Sequence, residues 1–182
     1  MLHRASETGG IERLSDALNS FRCCLDEDIE SFLRVKALEF LKRRWCSVYL
    51  MVDEQEFDYG RIKIVAYFTL SHKTLTPTAA SKTNIKTAAG IQKSETIHFV
   101  LIGQLGKHIE KLETGEIRSA DIAGREILDN AFEVIRQSDA LIPCRCVLVE
   151  CNDNEKIHKV YTDYQFKFFQ NDGEHDQFFK KI

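Results

Sequence analysis

The chain is expected to fold as an α/β domain, because apolar runs of strand length alternate with segments carrying a helical stripe. Cys144-Arg-Cys-Val-Leu-Val-Glu-Cys151 and Glu95-Thr-Ile-His-Phe-Val-Leu-Ile-Gly-Gln-Leu-Gly106 are runs of the kind that fill a sheet covered on both faces. Between them, Ile127, Leu128, Ala131, Phe132, Val134 and Ile135 fall on one side of a helix over Arg125 to Gln137. A chain of 182 residues with 43% apolar and 29% charged residues has material for one well-filled domain over residues 1–182 and is not disordered.

In chain order, Leu18 to Cys23 is expected as the first strand. Asp26-Glu-Asp-Ile-Glu30 opens a helix with acids, and Lys42-Arg-Arg44 closes it with bases, both matching the helix dipole. Ile29, Phe32, Leu33, Ala37, Phe40 and Leu41 form its buried stripe. Ser47 to Val52 is a strand, Asp53 to Gly60 an acidic turn, and Arg61 to Leu70 the partner strand of a hairpin. Residues 72–94 are rich in Thr, Ser, Ala and Lys with no acid before Glu95, and are expected as a polar insertion loop. Lys73, Lys82, Lys86 and Lys93 make this segment basic, suited to an anionic contact beside an acceptor site. Lys107 to Arg118 is a polar loop leading to Ser119-Ala-Asp-Ile-Ala-Gly124. After the Cys144 strand, Asn152-Asp-Asn154 breaks the chain and can cap a helix. Ile157, Val160, Tyr161 and Tyr164 then keep helical spacing, and Phe166 to Phe169 reads as another strand.

The order strand, Asn154, Tyr161 seven residues later and Phe166 five further on resembles the last motif of the GNAT N-acetyltransferases. The hairpin run Ala66-Tyr-Phe-Thr-Leu70 is also similar to that family, including its toxin-like branch. The resemblance spans Leu18 to Phe169 and leaves out Met1 to Gly10 and the C-terminal tail. It implies a GNAT-like mixed twisted sheet of six or seven strands flanked by about four helices. It also implies transfer of an acetyl group from acetyl-CoA to a primary amine of an acceptor that the residues do not name.

The resemblance assigns roles residue by residue. Leu105, Gly106 and Lys107 would pair through their backbone with the pantetheine arm. Ser119, Ala120, Asp121, Ile122, Ala123 and Gly124 occupy the phosphate-binding turn, and Asn154 precedes the last helix. Unpaired N–H groups at a helix start suit a pyrophosphate, and a glycine there lets the backbone approach. Only Gly124 keeps the family's turn pattern; Ile122 stands at the middle glycine and Ser119 at the usual Gln or Arg. Tyr161 would be the general acid that protonates the leaving thiolate. Taken alone, Tyr161 beside Val160 would be a core tyrosine, and Asn154 an ordinary cap. His98, Glu95 and Glu150 lie on or beside central strands as candidate bases, and water could also serve.

Three rival readings of function follow. The acceptor is a metabolite or protein amine; or it is an aminoacyl-tRNA, with an antitoxin partner; or catalysis is lost and the fold serves as a binding module. Nucleic acid is expected only if tRNA is the acceptor, since the net charge of −3 gives no general pull towards polyanions. A homodimer is compatible with each. No run approaches the roughly 20 apolar residues of a membrane span, so neither membrane nor signal peptide is expected. The six cysteines form no Cys-x-x-Cys pair, and are expected as reduced thiols of a cytoplasmic protein. None of His3, His72, His98, His108, His158 and His175 has ligand spacing with them, so no metal is expected.

Overall fold

Nine strands and seven α-helical segments follow one another in the computed structural model, which describes residues 2–4 and 11–182. The strands are β1 (Leu2–Arg4), β2 (Ser47–Val52), β3 (Ile64–Leu75), β4 (Ile97–Lys107), β5 (Ile109–Lys111), β6 (Ile117–Ser119), β7 (Cys146–Cys151), β8 (Lys167–Asn171) and β9 (Asp176–Lys181). Seven of them make one sheet in the order β1-β2-β3-β4-β7-β9-β8, and β5 and β6 pair separately. β4 runs parallel to β7, whereas β1–β2, β7–β9 and β8–β9 are antiparallel, so the sheet is mixed as the resemblance implies. By contacts the chain forms two units, Met1–Thr69 with Gln104–Asn130 and Leu70–Gly103 with Ala131–Ile182.

In the first unit, α1 (Ile11–Ser20) replaces the strand expected from Leu18. Leu14, Ala17, Leu18 and Phe21 are all buried, at helical and not strand spacing. Cys23 makes only an isolated bridge to Ile109. The first strand lies instead at Leu2–Arg4, outside the span of the resemblance. A continuous helical rod follows over residues 27–42, as α2 (Glu27–Ser31), a π-helical turn (Phe32–Lys36) and α3 (Ala37–Lys42). Asp26 caps it by accepting from the Ile29 N–H. Its stripe packs on Phe21 and Tyr67, and the Tyr67 hydroxyl donates to the Ile29 carbonyl at 2.7 Å. The acidic turn after β2 is a short helix, α4 (Glu54–Asp58). Asp53 caps it from outside, and acids fill its first turn. The stretch expected as a polar loop from Lys107 is the β5–β6 hairpin, turned at Gly115 with φ +84°.

In the second unit, the segment expected as an insertion loop is structured. β3 continues to Leu75, and α5 (Lys82–Ala89) follows, capped by Ser81 and closed by Gly90 at φ +79°. Ile85, Ala88 and Ala89 give α5 a small apolar face against Leu75, Phe99, Cys146 and Phe169. α6 (Gly124–Asp139) begins in the first unit and continues into this one. α7 (Glu155–Asp163) follows β7. The tail left out of the resemblance supplies β9, which lies between β7 and β8. Phe178 and Phe179 leave opposite faces of β9, so each buries against a different layer. Beside them Gln170 and Gln177 are buried but satisfied. Gln170 donates to Gln177 and the Thr76 carbonyl, and Gln177 donates to Glu150 and Asp172.

Candidate active site

In the first unit, the backbone residues expected to hold a pantetheine arm lie at the end of β4. β4 keeps register with β7 from Val100 to Ile102. Gln104 then donates its N–H to the Thr69 hydroxyl, and His108 donates its N–H to the Val65 carbonyl. Gly106 is buried between them, and a Cβ there would come within 2.6 Å of Tyr67 and 2.5 Å of Ile29. Its lack of a side chain is therefore a packing requirement of the aromatic cluster, whatever the backbone binds.

Leu105 and Lys107 are half-buried on either side of Gly106. The turn after β6 is tight: Ala120 donates to the His108 carbonyl and Ile122 to the Ala120 carbonyl, both at 2.9 Å. Ile122 is buried, so the residue at the family's middle glycine anchors the turn. Ser119, Asp121 and Ala123 are exposed. The Ala123 carbonyl accepts from Glu126 and Ile127, which makes Ala123 the cap residue of α6. Its methyl group cannot satisfy the first-turn N–H groups. A Cβ at Gly124 would meet nothing within 4 Å. This helix start thus has open space in front of Gly124, where the positive end of the helix dipole lies.

A cavity of about 620 Å³ adjoins the turn, lined in part by Asp53, Lys63, His108, Glu110, Arg118 and Asp121. The His108 Nδ1 accepts from the Arg22 N–H at 3.2 Å. Burial lowers its pKa, so the ring is a neutral imidazole whose proton sits on Nε2, 4.0 Å from Glu110. Lys63 pairs with Asp53, and Arg118 with Glu110 at 3.5 Å. No spacing rule singles out His108, because a lone histidine after a strand carries no pattern.

In the second unit, Asn154 caps α7 by accepting from Lys156 and Ile157. Tyr161 lies on the buried face of α7, with 9% of its surface exposed. Its ring meets Phe166 edge-on at 5.7 Å and Phe178 at 6.1 Å. Phe166 also donates its N–H to the Tyr161 carbonyl, across Gln165 at φ +68°. The spacing Asn154, Tyr161, Phe166 is therefore one local unit: a cap, a buried ring and the residue that closes the helix. Burial, and less strongly the nearby Cys151, push the Tyr161 phenol well above its ordinary pKa, so it stays protonated. Among the described residues nothing hydrogen-bonds its hydroxyl. The oxygen is not one of the fully buried unpaired atoms among the described residues, so the ring is buried while the hydroxyl reaches the surface.

The candidate bases fare differently. Glu150 accepts from the Lys73 ammonium at 2.6 and 2.8 Å and from Gln177 at 2.7 Å, so it belongs to the polar network of the sheet. His98 is exposed with its Nδ1 2.8 Å from the Thr74 hydroxyl, and Glu95 is exposed. Burial raises the Cys146 and Cys151 thiols to about 11, which leaves both as poor nucleophiles.

No family model and no curated protein matches the chain. Solved structures do. The chain is 16% identical to a tyrosine-to-phenylalanine mutant of KacT, over all of this chain and 94% of that one, with a TM-score of 0.71. It is 19% identical to AtaT complexed with acetyl-methionyl-tRNAfMet, over 90% and 86% of the two chains, with a TM-score of 0.67. AtaTR bound with AcCoA is 20% identical over 92% and 89%, with a TM-score of 0.66. The fold is the GNAT fold. At these identities the likeness is one of fold. The described helices outnumber the four expected, because α1, α4 and α5 lie where a strand, a turn and a loop are expected. No described helix is long and apolar enough to cross a membrane.

Proposed function

We propose that this protein is a GNAT-type enzyme that transfers the acetyl group of acetyl-CoA to the α-amino group of an aminoacyl-tRNA. The observation that carries this reading is Tyr161: buried, held protonated and without a hydrogen-bond partner for its hydroxyl among the described residues. Acetyl-CoA would supply an activated thioester. The N–H groups opening α6 around Gly124 would take its pyrophosphate, and the backbone of Leu105, Gly106 and Lys107 its pantetheine amides. The acceptor amine attacks the acetyl carbonyl directly, the carbon–sulfur bond breaks, and Tyr161 gives its proton to the departing thiolate. The proton released from the amine leaves through water, since Glu150 is engaged by Lys73.

The aminoacyl-tRNA acceptor is favoured over a free metabolite by AtaT, whose structure holds acetyl-methionyl-tRNAfMet. The exposed Lys82, Lys86 and Lys93 line a cavity of about 950 Å³ beside α5 and would meet phosphates. A bound antitoxin, as AtaR is for AtaT, is the corresponding protein partner. The binding-module reading draws on Asp121 and Ile122 in the phosphate turn, and predicts no acetyl-CoA binding. Incubation with labelled acetyl-CoA and charged tRNA decides between them. Label on the tRNA supports the proposal; acetyl-CoA binding with no label on any charged tRNA refutes the acceptor; no binding at all refutes the enzyme.

A further inference from the structure

We propose that Asp153, His158 and Asp176 form a binding site for one divalent transition metal of the zinc class. The three side chains come from the β7–α7 turn, from α7 and from the start of β9, and their ligand atoms all lie within 4.8 Å of one another. Ligands at about 2.0–2.1 Å from a tetrahedral zinc stand roughly 3.3 Å apart, so only a small swing of the exposed Asp153 closes the set. A second observation points to a ligand. The His158 Nε2 atom is buried although its side chain is 24% exposed; it forms an ion pair 3.1 Å from the Asp176 Oδ2, but among the described residues it has no partner with hydrogen-bond geometry. Two donor atoms that approach without facing each other are placed as neighbours on one ion would be.

The surroundings fit. The other carboxylate oxygen of Asp176 accepts from the Asn171 side-chain amide at 2.8 Å, which fixes the carboxylate as an outer partner fixes a ligand. The His158 ring leans on Phe178 at 5.0 Å, so its direction is set by packing. One imidazole with two carboxylates suits zinc, cobalt or nickel more than calcium or magnesium, and leaves a position for water. Bound metal would tie α7 to β9 around Phe178, against which Tyr161 also packs. Two carboxylates 23 residues apart with one histidine make no ligand-spacing motif in the sequence.

The test is calorimetric titration of the full chain, freed of metal, with zinc chloride, alongside cobalt absorption spectra. One saturable equivalent per chain is expected, with no sulfur-to-cobalt charge-transfer band. Asp153→Asn, at an exposed position outside the helix, should leave the melting temperature unchanged and weaken binding at least about 10-fold. His158→Gln should abolish binding. Absence of saturable binding, a thiolate band, or equal affinity in wild type and Asp153→Asn would each overturn the site and leave His158 and Asp176 as an anchoring pair only.

Discussion

Replacing Tyr161 by phenylalanine separates the chemical reading of that residue from a structural one. The ring packs on Phe166 and Phe178, and phenylalanine preserves those contacts. The hydroxyl has no hydrogen-bond partner among the described residues, so its removal strands no buried group. Cutting a made hydrogen bond would cost about 1 kcal/mol, and here less is expected. The melting temperature should therefore move by no more than a few degrees. The chemical effect is larger. A general acid contributes about 10²-fold at the low end of its range, or about 2.7 kcal/mol in transition-state free energy. Turnover should fall by that factor while acetyl-CoA affinity stays constant, because the lost interaction belongs to the transition state. The assay is the initial rate of thiol release, with affinity measured by calorimetry on the same protein. Unchanged turnover, or a fall explained by lost folding, would refute the assignment.

Four further outcomes follow. Gly106→Ala would force a Cβ against Tyr67 and Ile29, so about 1–3 kcal/mol of stability should be lost, read from the urea midpoint. Gly124→Val meets open space and should remain folded, but bind acetyl-CoA more weakly in a thermal-shift titration; unchanged binding would remove this turn from the phosphate site. Asn154→Ala should cost about 1 kcal/mol through loss of the α7 cap, seen as a lower urea midpoint. For pH, burial disfavours ionised Glu30, but the Cys23 N–H and the Arg34 guanidinium outweigh it and lower its pKa below the ordinary 4.5. That stability is present above pH 4.5 and lost as pH falls through the lowered value, so wild type should lose more on acidification than Glu30→Gln.

What could be read from the sequence was what is local. The α7 motif is a cap, a buried ring and a closing backbone bond within thirteen residues, and each leaves a mark in residue type. The rod over residues 27–42 was equally legible through Asp26 and its stripe. Errors came where a pattern was short or weakly apolar. Leu18 to Cys23 alone has the length of a strand, but the full stripe of Leu14, Ala17, Leu18 and Phe21 is helical. α5 was hidden by its Thr and Lys content, since Ile85, Ala88 and Ala89 bury little surface. β9 has only Phe178 and Phe179 between charged ends. The cavity at His108 and the group of Asp153, His158 and Asp176 join residues distant in sequence, which no spacing rule reveals.

The most direct test of the acetyl-transfer reading is the mass of the amino acid released from charged tRNA after incubation with the protein and acetyl-CoA. Acetylation of its α-amine is predicted, about 10²-fold slower with Tyr161→Phe. Unmodified amino acids from every charged tRNA, with a folded protein that binds acetyl-CoA, would contradict it.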